Sequence, residues 1–163
     1  MLLVLPLASC GGGQPSAATP SVAPAAASPK QQVAAQPKTE ATVRKVAQEE
    51  FDAYAAGEYG EAWELWTAAG KSMISRANYE KLHELCKTVT GLRFAIEKIR
   101  VLGNTATVRV SRSIAVLSYK FLYEQGQWRF VPDKDSATDY RYARKAGVAK
   151  LVARKKAEGG CTS

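Results

Sequence analysis

The chain has 163 residues, 46% of them hydrophobic and 23% charged, with a formal net charge of +8 at pH 7. Less a low-complexity arm, that length leaves room for one domain with a single core and not comfortably for two, while the positive balance points to acidic partners such as anionic lipid headgroups, envelope polymers or nucleic acid. With one histidine, three cysteines and no Cys-x-x-Cys pair, a structural zinc site, which needs four ligands, is not expected, and neither is a cofactor.

The chain opens on an apolar run over residues 2–7 that leads through the small residues Ala8 and Ser9 to Cys10. The run is far short of the roughly 20 residues of a membrane-spanning helix. It fits the apolar segment of a secretory signal, about 7–15 residues ending at small residues before the cut. The tetrad Leu7-Ala8-Ser9-Cys10 resembles the lipobox of bacterial lipoproteins, and Gly11, Gly12 and Gly13 resemble the flexible start that follows it. The resemblance implies that residues 1–9 are a signal peptide and that the Cys10 thiol is diacylglycerylated, a palmitate-type anchor that holds the protein on the extracytoplasmic side of the cell membrane. Each buried lipid CH₂ adds about 0.8 kcal/mol, so one chain holds marginally and two hold stably. No Lys or Arg precedes the apolar run although signal peptides begin with a positive region, so the native start is expected upstream of Met1. An extracytoplasmic location removes nucleic acid from the expected partners and leaves the bilayer, envelope polymers or an unidentified ligand or protein. It also leaves Cys86 and Cys161 as an even pair where disulfides persist. The alternative is a buried Cys86 thiol packed as a small hydrophobe and a free Cys161.

Residues 10–38 form the lipidated cysteine and an Ala/Pro/Ser-rich stretch that cannot bury enough surface to offset its ordering entropy, and they read as a disordered linker. Its prolines favour extension at about 3.1 Å per residue. From Thr39 the pattern is helical: Val43, Val46, Ala47, Phe51 and Tyr54 recur at spacings of three and four up to Gly57. A second period runs through Tyr59, Ala62, Trp63 and Trp66 to Gly70. The third starts at Ser75, a good N-cap, and carries Tyr79, Leu82, Cys86 and Val89 to Gly91. Residues 92–102, 105–114, 115–124 and 127–131 are rich in β-branched and aromatic residues, with turn residues at Gly103-Asn104 and Gly126. The second join lacks Gly and Pro and falls somewhere in 111–118. Beyond Pro132, residues 137–163 make a weakly helical, basic tail in which Arg141, Arg144, Lys145, Lys150, Arg154, Lys155 and Lys156 stand against Asp139 and Glu158.

The expected domain, residues 39–136, is therefore α+β, with three N-terminal helices packed on a curved antiparallel sheet of about four strands. This order, the phrase Tyr54-Ala55-Ala56-Gly57-Glu58-Tyr59-Gly60-Glu61-Ala62-Trp63 and the closing Gly126-Gln127-Trp128-Arg129-Phe130 resemble the nuclear transport factor 2-like, or cystatin-like cone, superfamily. The resemblance implies a cavity between sheet and helices, with Tyr54, Trp63, Trp66, Tyr79, Phe94 and Trp128 able to line it or simply to pack a core. The same cone hosts enzymes and binding modules alike. Isomerase- or cyclase-like members use a cavity carboxylate or histidine as general base, and Asp52 and His83 are the candidates. Both read better as a surface carboxylate and a boundary histidine, so a non-enzymatic module that binds a small apolar ligand or a protein is the leading expectation. Binding of anionic headgroups or polymers through the basic tail is the alternative, and catalysis by a cavity Asp or His the next.

Overall fold

A computed structural model of the protein describes residues 34–161. The expectations for residues 1–9, for Cys10 and for the linker as far as residue 33 lie outside the described residues. The domain is α+β, with six helices and a four-stranded antiparallel sheet. Helix α1, Glu40–Ala56, begins at Thr39, whose hydroxyl accepts from the Thr42 N–H, and ends at Gly57. There a φ of 84° lets the N–H turn back to Ala53 and Tyr54, a left-handed cap that glycine adopts without steric cost. Its buried stripe takes in Val43, Val46, Ala47, Glu50 and Phe51.

The sequence suggests one helix between Tyr59 and Gly70, and the structure has two: α2, Tyr59–Glu64, and α3, Ala68–Met73. Helices therefore form four segments before the sheet, not three, the last being α4, Arg76–Leu85, capped by Ser75. The break has a tertiary cause. The backbone of residues 65–67 pairs with the last strand, Thr67 N–H donating to Phe130 O at 2.9 Å and Phe130 N–H to Leu65 O at 2.9 Å. Groups that would continue a helix are spent on the sheet edge. Helix α3 restarts on two caps, the Thr67 hydroxyl to the Gly70 N–H and the Glu124 carboxylate to the Ala68 N–H, each 3.0 Å.

The strands β1 (Ala95–Leu102), β2 (Thr105–Arg112), β3 (Ala115–Glu124) and β4 (Gln127–Val131) form a meander in the order β1-β2-β3-β4. The β2–β3 join is the tight pair Ser113-Ile114, with Ser113 at φ 54° and Ile114 fully exposed. One sheet face, with Ile99, Ala106, Val108, Val110, Phe121 and Phe130, is buried against α1 and its neighbours. The other shows Arg100, Thr107, Arg109, Ser118 and Lys120 to solvent.

The tail is more ordered than its sequence suggests. Asp133 caps α5, Lys134–Ala146, by accepting from the Asp135 and Ser136 N–H groups at 2.9 Å. Helix α6, Val148–Ala157, follows, and together they bury Ala137, Tyr140, Ala143, Val148, Leu151 and Val152. Burying an apolar side chain of Val or Leu size contributes about 1.5–3 kcal/mol, enough to fix two short helices that would be marginal alone. A disulfide between Cys86 and Cys161, Cα atoms 4.9 Å apart, ties the end of α6 to the end of α4. Residues before α1 are also held: Gln36 N–H donates to Gly126 O at 2.7 Å, and Gln36 accepts from Tyr123 and Trp128. Gly126 itself sits at φ 82°, and a side chain there would meet Ala35 at 3.3 Å. Among the described residues no helix is long and apolar enough to cross a membrane.

Candidate functional site

Between the inner sheet face, α1, α4 and α5 lies a cavity of about 120 Å³. Rings make most of its wall: Phe51 and Phe94 stack at 4.9 Å, and Trp66 stacks on Tyr140 at 5.3 Å. Engineered apolar cavities of about 150 Å³ take up benzene, so this one suits a ligand of five or six heavy atoms rather than a lipid chain.

Its chemistry is set by polar groups among those rings. Glu50 is 3% exposed and lines the cavity. Burial pushes its carboxyl up to about 8, against a smaller opposing pull from the Trp66 indole N–H. That N–H is buried and meets no acceptor with good hydrogen-bond geometry among the described residues. Desolvation also raises the phenols of Tyr54, Tyr79, Tyr119 and Tyr140, with Tyr119 at about 12. At neutral pH Glu50 and these phenols are therefore uncharged, and together with the Trp66 N–H they make the lining rich in donors. Arg112 supplies the cation in the lining, its Nε and Nη2 donating to Leu92 O and Val89 O while its plane lies 4.6 Å over Phe94. Asp133 also lines the cavity, but one of its oxygens is committed to capping α5 and the other accepts from the Ser136 hydroxyl at 2.7 Å.

Of the aromatics singled out by sequence, Tyr54, Trp66, Tyr79 and Phe94 line this cavity and Trp63 and Trp128 do not. Trp63 lies towards the surface, its indole N–H donating to Ile74 O at 3.0 Å and Lys71 resting 4.6 Å over its ring. Trp128 is buried at the other end of the inner face, edge-on to Tyr123, and its indole N–H reaches Pro37 O at 3.3 Å. It holds the entering chain rather than a ligand.

Neither proposed base stands with Glu50. Asp52 is exposed and accepts from the Gln48 amide at 2.8 Å. His83 is 8% exposed, stacks on Tyr59 at 3.7 Å, and leaves both ring nitrogens without a partner among the described residues. Burial, with Lys155 adding to it, lowers its pKa to about 4, so the ring is neutral. It lines a second chamber of about 110 Å³ beside the disulfide, which shares Tyr54, Ser136 and Tyr140 with the first cavity. Sequence reasoning passed over Glu50 although its position gives a signal: it falls three residues after Ala47 and four before Tyr54, on the apolar stripe itself.

The fold sorts the basic tail. Asp139 pairs with Arg154 and Lys155, and Arg144 donates to Ser72 O at 2.6 Å. Arg141, Lys145, Lys150 and Lys156 are exposed, with no side-chain ion pair or hydrogen bond among the described residues. No group of His, Cys, Asp and Glu able to hold a metal ion occurs among the described residues. Comparison with protein-family models, curated proteins and solved structures gives no significant match.

Proposed function

We propose that the chain is an extracytoplasmic lipoprotein anchored through acylated Cys10, whose body is a nuclear transport factor 2-like cone working as a non-enzymatic binding module. The lipobox tetrad supports the anchor, and the order of helices and meander sheet supports the cone. Intact-mass analysis of the cell-derived protein is expected to find a diacylglyceryl group on Cys10 and residues 1–9 removed. An unmodified, uncleaved chain in the soluble fraction would sink the anchor.

The observation that carries the binding reading is the buried Glu50 carboxyl in an aromatic cavity. The donor-rich lining shifts the expected ligand from purely apolar to a small ring bearing one acceptor oxygen. An unpaired buried polar group costs about 1–3 kcal/mol, and such a ligand removes that cost for the Trp66 N–H or accepts from the protonated Glu50 carboxyl. Cyclopentanone should therefore perturb the NMR signals of cavity residues at least about tenfold more tightly than methylenecyclopentane at pH 6.5. The preference should shrink at pH 9.5, where Glu50 ionises. Equal affinity for the two would remove the donor role, and no binding of either would remove the cavity as a site.

A second reading follows from the same carboxyl. A group titrating near 8 is suited to general acid–base work, so Glu50, rather than Asp52 or His83, is the residue on which an isomerase- or cyclase-like activity would depend. Its carboxylate would take a proton from the carbon next to a carbonyl, the electron pair moving to the oxygen as an enolate. Deuterium exchange into bound cyclopentanone decides between the readings. Faster exchange with the wild type than with Glu50→Gln marks a catalyst, and exchange at the solvent rate marks a binding module.

A further inference from the structure

Beyond the cavity, the exposed parts of α5 and α6 carry cations with no side-chain ion pair or hydrogen bond among the described residues. The two helices are fixed by the six side chains they bury and by the disulfide at the end of α6. Of the acids at these helices, Asp139 is engaged by Arg154 and Lys155, Glu158 by Arg154 and Asp133 by its capping bonds, while Asp135 stands exposed in the first turn of α5, six residues before Arg141. Arg141 and Lys145 are one helical turn apart, and Lys150 and Lys156 stand on the exposed parts of the next helix. Apolar burial orients the two helices so that Arg154 and Lys155 meet Asp139 while Arg141, Lys145, Lys150 and Lys156 stay exposed to an external partner.

We infer that this α5–α6 surface docks reversibly on the anionic headgroups of the bilayer that carries the anchor. The inference rests on the lipoprotein reading, because the strength of the patch matters only beside a tether. Each Lys or Arg close to an anionic membrane surface improves association about fivefold at moderate salt. Arg141, Lys145, Lys150 and Lys156 together give on the order of 10³-fold, which is a Kd near 1 mM. That is too weak to hold a free protein on a surface at moderate salt and dilute lipid, although low salt and concentrated vesicles bring it within reach of a sedimentation assay. It matches the millimolar effective concentration that a short linker supplies to a second, intramolecular contact. The bilayer is therefore favoured over a diffusing polymer, and the domain exchanges between a docked and a lifted position with salt and headgroup charge as the controls.

The test uses the full chain with Cys10→Ser, so that no acyl group contributes, sedimented with vesicles of phosphatidylcholine alone or mixed with phosphatidylglycerol at low salt. Binding is expected only to the mixed vesicles, falling steeply as salt is raised. Replacing Arg141, Lys145, Lys150 and Lys156 by Glu should reduce it by at least about a hundredfold. A charge-matched variant, Arg93→Glu, Lys98→Glu, Arg100→Glu and Lys120→Glu, alters exposed cations of the sheet and the residues leading into it and should leave most of the binding in place; circular dichroism checks that both variants fold. Equal losses in the two variants would reduce the effect to net charge and overturn the assignment. So would equal binding to both vesicle types, or tighter binding to soluble polyglutamate than to vesicles. Failure of the anchor is read separately, from the mass of Cys10 in the cell-derived protein.

Discussion

Glu50 and His83 are the two residues whose burial has the clearest thermodynamic consequence. A carboxyl whose folded pKa stands at about 8 against an ordinary 4.5 holds its proton more tightly folded than unfolded. Its contribution is intact below about 4.5, is lost as pH rises towards 8, and stays lost above. The full difference is on the order of 4 kcal/mol. Glu50→Gln keeps the size and a donor without the titration, so it should raise stability above pH 8 by a few kcal/mol and change it little at pH 4.5, as read by urea unfolding at both. His83 has the opposite sign. Its folded pKa is about 4 against 6.5, so unfolding takes up a proton below 6.5 and stability falls as the solution is acidified from 6.5 towards 4.

At the scale of elements, the Cys86–Cys161 bridge fixes the last helix. The bridged residues are 75 apart in sequence, and the loop-closure entropy removed from the unfolded chain corresponds to roughly 4 kcal/mol. The double variant Cys86→Ser, Cys161→Ser should lower stability by about 2–5 kcal/mol and increase amide exchange in α6 ahead of the sheet. Equal protection in α6 and β2 would show that apolar packing alone holds the helix. The elements also mark how far sequence reaches. The stripes of α1 and α4, the Thr105 and Gln127 strand starts, and the turns at Gly103 and Gly126 follow from local periodicity and turn chemistry, whereas the Ser113-Ile114 turn, which lacks Gly and Pro, is placed by them no more closely than 111–118. The α2–α3 break does not follow from them, because it depends on Thr67 meeting Phe130, far away in the chain. Arg112 shares the strand parity of Val108 and Val110 on the inner face and lines the cavity, although its charge alone suggests the solvent side. Glu50 was placed by period but disguised by charge, since no local rule says that a carboxyl turns inward. Trp128 lies on the same face of β4 as the cavity-lining Phe130 but at the turn end, where it meets Gln36 and Pro37.

For the whole molecule the two buried titrations combine into one profile. Between about pH 4.5 and 6.5 the rising contribution of His83 and the falling one of Glu50 offset each other, and above 6.5 only the Glu50 decline remains until about 8. Thermal unfolding should accordingly show a plateau across mildly acidic pH and a drop through neutrality, and Glu50→Gln should abolish the drop and turn the plateau into a rise from about pH 4.5 to 6.5, because the His83 contribution is then no longer offset. A drop that persisted in that variant would place its origin in another group. The hold on the entering chain has a mechanical side. Gln36 is bound at the β3–β4 turn by one backbone bond and by Tyr123 and Trp128, so a pull on the chain ahead of it loads this small clasp before it loads α1. The clasp thus acts as a mechanical fuse, yielding a few residues of slack while the disulfide-stapled body keeps its shape.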